Sequence, residues 1–360
     1  MDYLRILELV RAVTGNRADD RLPAAESPLV AFRKSPESPA TFLVFDAQVA
    51  KNILESPAYR QFPFLDRILS IAKTERTDWI RRFCEVGLIM IDGPEHERRR
   101  ARMTTALERC VDRLMRLPAE RTARIIEEAA QASGASADGI ARAVVCLLFS
   151  ESVAAIVGHT VELPLDHLFQ IDFFNPFPTL SSLARCNASI DACCQAVGVE
   201  RLDADDQSAV LSLLIMGVSP LHALITASLN QCLRAREADS PLHEALALAA
   251  KVDSYAIVPT NFVMRECSRP DSIAGEQVAS GDIVYLFLGS ATGCPFSRQS
   301  AVPFGAGAHY CSGAKLTSVM MWAVRAGLGA ADSAALDAVA VARPEQGKAS
   351  AFLMYPPTAG

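Results

Sequence analysis

The sequence predicts a mainly α-helical chain with a minor β region, and three observations carry that reading. Apolar residues recur at helical spacing over long stretches, above all from Leu114 to Gly158 and from Ala209 to Leu233. Runs that read as strands are few and short, such as Thr41–Phe45 (TFLVF), set off by turn residues. Pro303–Leu316 reads PFGAGAHYCSGAKL, a glycine-rich loop around one cysteine, Cys311, that leads directly into a helix from Ala314. With 360 residues, 50% of them hydrophobic, the chain can bury a large core. We expect one domain over 1–360: a small β region at about 25–50, a helical body at about 50–250, a β region with the cysteine loop at about 255–316, and a closing helix and hairpin at about 314–360.

Taken in order, Leu4–Val13 has helical spacing, and Leu29–Phe32 and Thr41–Phe45 read as strands separated by the turn-rich Lys34–Pro39. Asp46 is placed to cap a helix over Ala47–Glu55, closed by Ser56-Pro57. Asp92 is a candidate N-cap for the next marked helix, with Pro94 in its first turn. His96 and Arg100, four apart, then share one helical face, which suits a pair of carboxylates. Arg81, Arg82, Arg98, Arg99 and Arg102 fit either a positive patch for an acidic electron donor or, the reading preferred here, a solvated basic face. The helical stretch after Leu114 breaks at Ala132–Ala137 and resumes from Asp138. Leu163–Leu183, rich in Phe and broken by Pro, fits either a mobile apolar lid or ordinary core packing. Cys193-Cys194 has no partner pattern and is incidental.

Ala209–Leu233 is apolar nearly all round, so it is a buried helix, and Pro220 within it predicts a kink. Arg265 lies on a strand, followed by turns at Gly275 and Gly281-Asp282 and then an apolar strand. The helix from Ala314 is expected to reach about Leu328, and Ala334–Pro357 to form a closing hairpin.

Several function classes are excluded at this level. A net charge of −6 gives no footing for nucleic acid. Ten scattered cysteines in a chain of this size do not form a disulfide framework, which points to a reducing compartment. The first residues, MDYLRILELVRAVTG, lack the apolar run and cleavage site of a signal peptide, and no run of 18 apolar residues marks a membrane anchor. A cytoplasmic protein is expected.

The chemistry concentrates at Cys311. Gly305, Gly307 and Gly313 let the backbone turn and approach a flat, bulky macrocycle without a Cβ in the way. The helix N-terminus after Cys311 favours the thiolate. His309 is placed to donate to an anionic group, and Phe304 to shield the sulfur from water.

The spacing of Phe304, Gly307, His309, Cys311 and Gly313 resembles the haem-binding loop of the cytochrome P-450 (haem-thiolate) family, filling all five of its fixed positions. The segment from Asp92 to His96 resembles the family's Asp-Pro-Pro-Glu-His helix start, with Gly93 for the first proline. The resemblance implies a shortened, divergent, bacterial-type haem-thiolate fold and haem b as cofactor. Cys311 would be the metal ligand, with His96, Arg100, Arg265 and His309 on the propionates and Phe304, Gly305 and Gly313 shaping the loop. It further implies a monooxygenase-type oxidoreductase for a small, largely apolar biosynthetic intermediate of secondary metabolism. Its electrons would come from a ferredoxin or flavin reductase.

Two departures qualify this. The distal-helix pattern falls on Met216, Gly217, Val218, Ser219 and Pro220, so the family's acid becomes Ser219 and its threonine Pro220, with His222 nearby as a possible substitute donor. The family's Glu-x-x-Arg element finds Glu244 but Ala247 in place of the arginine, and the loop before Pro303 is short, with Phe296 and Arg298 as remnants. Peroxide-driven or non-oxygenase chemistry (dehydration, rearrangement, cyclisation) and a non-catalytic scaffold for a partner enzyme are therefore the alternatives.

Overall fold

Helices make up most of the computed structural model, which describes residues 29–33, 38–63, 77–164, 179–237, 262–288, 302, 304–336 and 339. The strands gather on one side. β1 (Leu29–Arg33) and β2 (Ala40–Val44) pair antiparallel, and the two-residue period of β2 divides its side chains between two cores. Leu43 joins the large helical core, together with Phe45 just beyond the strand, whereas Phe42 and Val44 join a smaller core under the sheet. Both faces of β2 are thus covered, which explains its continuous apolar run.

α1 (Ala47–Glu55) starts where the sequence indicates: the Asp46 carboxylate accepts from the Val49 N–H at 2.8 Å. β3 (Tyr59–Gln61), β4 (Val263–Cys267) and β7 (Ile283–Leu286) complete a five-stranded sheet in the order β1-β2-β7-β4-β3, with β2 and β7 parallel and the other pairs antiparallel. Between β4 and β7 lies a separate hairpin, β5 (Asp271–Ile273) and β6 (Glu276–Val278), turning at Ala274-Gly275 with both φ positive. This sheet places Arg265 opposite Gln61 on the edge that faces the helices.

The helical side runs through α2 (Asp78–Val86), α3 (Pro94–Leu114), α4 (Ala119–Gln131), α5 (Ala137–Val157), α6 (Leu180–Val197), α7 (Ala204–Ser212), α8 (Val218–Glu237) and α9 (Ala314–Ala330). α5 packs between α3, α4 and α8, so it is buried on nearly every side. Ser136 caps it and Gly158, in the left-handed conformation, ends it. Two helices, Ala137–Val157 and Ala204–Asn230, are long and apolar enough to cross a bilayer by length and composition; 61% and 78% of their apolar windows are buried inside the protein.

Three local expectations differ from the structure. Asp92 does not cap α3: Gly93 (φ 76°) does, because the Asp92 carboxylate is engaged elsewhere, as described below. The Pro220 kink takes the form of a π-helical turn, Leu213–Gly217, joining α7 to α8. Proline has no N–H and crowds the carbonyl four residues back, that of Met216, and the wider turn accommodates both. Ser333–Leu336 form a 3₁₀ turn where the closing hairpin was expected to begin. The remainder of that hairpin, the helix over Leu4–Val13, Glu244 and Ala247, Phe296 and Arg298, and most of the Phe-rich stretch lie outside the described residues.

Candidate active site

The cysteine loop is built by backbone hydrogen bonds that close on themselves. Gly305 N–H donates to Val302 O at 2.9 Å, Tyr310 N–H to Gly307 O at 3.0 Å, and Cys311 N–H to Phe304 O at 2.9 Å. Gly307 is irreplaceable on two counts. Its φ is +68°, and a Cβ there would lie 2.4 Å from the Leu54 carbonyl oxygen at the end of α1. Gly305 also has positive φ (71°), but Gly313 does not; its φ is −82° and a Cβ there would sit 3.7 Å from Cys311 Sγ, in ordinary contact. The glycine at 313 leaves the sulfur uncovered rather than permitting a turn.

Cys311 opens into a cavity of about 350 Å³ whose walls come from α3, the π-turn and α8, the sheet, and the loop itself. Burial pushes the thiol up from its ordinary value, against the pull of the Gly313 and Ala314 N–H groups and the Arg100 guanidinium. The N–H groups at the helix start favour the thiolate as expected, and desolvation outweighs them. A metal that displaces the proton reverses that balance.

His96, Arg100, Arg265, His309, Phe304 and Cys311 all line this one cavity. His96 is 2% exposed, and its Nε2 has no hydrogen-bond partner among the described residues. Burial, with His309 and Arg100 adding to it, lowers its pKa to about 4, so it is neutral at pH 7. Arg265 is 7% exposed and donates to Gln61 Oε1 at 3.0 Å and to the Met264 carbonyl at 2.8 Å. Desolvation lowers its pKa to about 10, which leaves it charged. Arg100 donates to the Ala308 carbonyl at 3.2 Å, tying α3 to the loop. The His309 ring lies against that of His96, centroids 4.1 Å apart, and its Nε2 is 2.7 Å from Asp92 Oδ1.

The distal residues divide. Gly217 and Pro220 line the cavity, with Met216, Leu221 and Leu224. Ser219 and His222 do not: both are buried, and His222 Nε2 sits 3.0 Å from Asp138 Oδ1 on α5. Gly217 is required because a Cβ would lie 2.9 Å from the Phe149 ring. Sequence reasoning missed Ser212, the hydroxyl that the distal helix does bring to the cavity, and the linking roles of Asp92 and Gln61. The basic residues of α2 and α3 are occupied locally: Arg98 and Arg99 pair with Glu95, Arg102 with Asp205, and Arg82 with Gln207.

No protein-family model matches the chain. No curated protein matches it. Solved structures do. P450BioI in complex with a hexadec-9Z-enoic acid-ligated acyl carrier protein aligns over 92% of this chain and 93% of its own, with TM-score 0.61 and 16% identity. The tirandamycin C-bound P450 monooxygenase TamI aligns over 92% of each chain, with TM-score 0.60 and 17% identity. OxyA from Actinoplanes teichomyceticus aligns over 99% of each, with TM-score 0.60 and 14% identity.

The chain has the cytochrome P450 fold.

In the P450 fold the implied cofactor is a haem, and the residues present fit one. A haem edge carries two carboxylates, and this cavity offers two guanidiniums and a buried imidazole nitrogen without a partner. Among the described residues lining it there is no Asp or Glu. A single thiol faces in beside an otherwise apolar wall of Phe, Leu, Ile and Met side chains.

Proposed function

We propose that this chain binds one b-type haem through Cys311 and acts as a haem-thiolate oxidoreductase of the monooxygenase type on a small, largely apolar molecule, in the cytoplasm. The observation that carries the reading is the convergence of Cys311, Arg100, Arg265 and the unpartnered His96 Nε2 on one apolar cavity. When bound, a thiolate-ligated haem supplies oxygen-activating redox chemistry. The chain's own residues do the rest. Arg100, Arg265, His96 and His309 hold and orient the carboxylate edge through charge-assisted hydrogen bonds. Gly313 and Ala314 N–H groups steady the sulfur, and Phe304 keeps water from it. Met216, Leu221, Leu224 and Phe83 give the substrate side an apolar lining.

A biosynthetic role is supported by neighbours such as CxnD, described for C–S bond formation in chuangxinmycin biosynthesis, at TM-score 0.58 and 14% identity. Electrons would come from a ferredoxin or flavin reductase. Arg98, Arg99 and Arg102 of α3 pair with nearby carboxylates on the surface.

The distal wall favours a second reading of the oxidant. Pro220 offers no donor, Ser219 and His222 are not among the residues lining the cavity, and no carboxylate lines it among the described residues, which leaves the Ser212 hydroxyl without an acid beside it. Peroxide-driven or non-oxygenase turnover is therefore the second reading, beside reductase-driven dioxygen chemistry.

The deciding measurement is the absorption spectrum of the purified protein, reduced and exposed to carbon monoxide. A red-shifted Soret band, lost in Cys311→Ala, is expected. A wild-type chain that takes up no haem would leave only the scaffold reading. Parallel assays with a surrogate reductase, with hydrogen peroxide, and anaerobically without oxidant then separate the mechanisms; tightly coupled reductase turnover would sink the peroxide and non-oxygenase reading.

A further inference from the structure

The carboxylate of Asp92 is not among the residues lining the cavity, yet it links the cysteine loop to the sheet that carries Arg265. Its Oδ1 lies 2.7 Å from His309 Nε2 on the cysteine loop. Its Oδ2 accepts from the Gln61 backbone N–H of β3 at 3.0 Å. The Gln61 side chain in turn accepts from Arg265 Nη1 on β4 at 3.0 Å. The His309 ring so held lies against His96 of α3. Asp92 opens the segment that resembles the Asp-Pro-Pro-Glu-His helix start, Gln61 belongs to no motif, and Asp92 gives up the capping of α3 to make these contacts.

We propose that Asp92 is the positioning residue of the cofactor's carboxylate edge: it orients His309 and, through Gln61, Arg265, so that the donors stand ready before the cofactor arrives. This rests on the haem reading above. Outer partners of this kind hold a donor's direction without touching the bound group, and their loss commonly costs about tenfold to a hundredfold in affinity. Ring orientation is the vulnerable quantity, because His309 sits in a loop segment of only three helical residues, Gly307–His309. Among the described residues its ring nitrogen Nε2 is held by Asp92.

The test is haemin titration of the apo protein, followed by Soret absorbance and by tryptophan quenching, for wild type, Asp92→Ala and Asp92→Asn. Asp92→Ala should weaken haemin binding about tenfold with little change in the urea midpoint of the apo chain. Asp92→Asn, which keeps an acceptor for His309, should recover much of that loss. Equal affinity in wild type and Asp92→Ala overturns the proposal while leaving the haem reading intact, and so does tighter binding in Asp92→Ala, which would make Asp92 a competing anion. Wild-type protein that binds no haemin overturns both.

Discussion

His96 lies in an environment far from what its type prefers. An imidazole normally titrates near 6.5, and here the folded value is about 4. Between those values the unfolded chain holds a proton that the folded chain does not, so acidification favours unfolding. Stability of the apo protein should therefore fall as pH drops from about 6.5 to about 4, and His96→Gln should flatten that slope; urea unfolding at several pH values measures it. Arg265 is likewise buried, and Arg100 is only partly so. Arg265→Ala should lower haemin affinity about tenfold or more, the loss expected for one hydrogen bond to a charged group at about 1.5–3 kcal/mol. Arg100→Ala, in a more exposed position, should lose less, and equal retention in both variants would show that neither holds the carboxylate edge. The types and spacing of these residues were legible in the sequence because a shared helical face is a matter of counting by four. Asp92 was not, because an acid before Pro94 reads equally well as a cap, and only the sheet and the loop arriving from 31 positions before and 217 after reveal the other use.

At the level of elements, the distal helix shows where counting fails. Pro220 predicted a distortion, and the π-turn at Leu213–Gly217 is that distortion. A π-turn holds one more residue than the α-helix it interrupts, so residues beyond it rotate by about 100° relative to a straight count. His222 then meets Asp138 of α5, Ser219 is buried away from the cavity lining, and Pro220 and Leu221 line the cavity. Strands β1 and β2, helix α1 and its Asp46 cap were readable because their signals are local. The sheet order was not, since β2 pairs with β7 across some 240 residues of chain. Gly217 is the point at which the π-turn meets α5. Gly217→Ala would drive a methyl into the Phe149 ring, 2.9 Å away, and should destabilise the protein by about 1–3 kcal/mol in urea unfolding. Gly217→Ala combined with Phe149→Leu should regain part of that loss; no regain would mean that the backbone, not the ring, sets the cost.

On the scale of the whole molecule, the cavity is where the helical core and the sheet core meet. Arg265 belongs to the sheet, His96 and Arg100 to α3, and Cys311 to a loop seated on α1 through Gly307. A ligand that grips all three stabilises the native state as a unit. Haemin at about 100 times its dissociation constant should add about 2.7 kcal/mol to stability, read from the denaturation midpoint by tryptophan fluorescence, and Cys311→Ala should reduce the gain at equal haemin concentration. The spread of these groups along the chain has a consequence for biosynthesis. As the polypeptide leaves the ribosome, the donors at 96 and 100 emerge first, the guanidinium at 265 much later, and the sulfur at 311 last. A nascent chain thus carries an incomplete grip for most of its synthesis, and on the haem reading the cofactor is captured late, close to the end of translation and as the last part of the helical core, α9, is added.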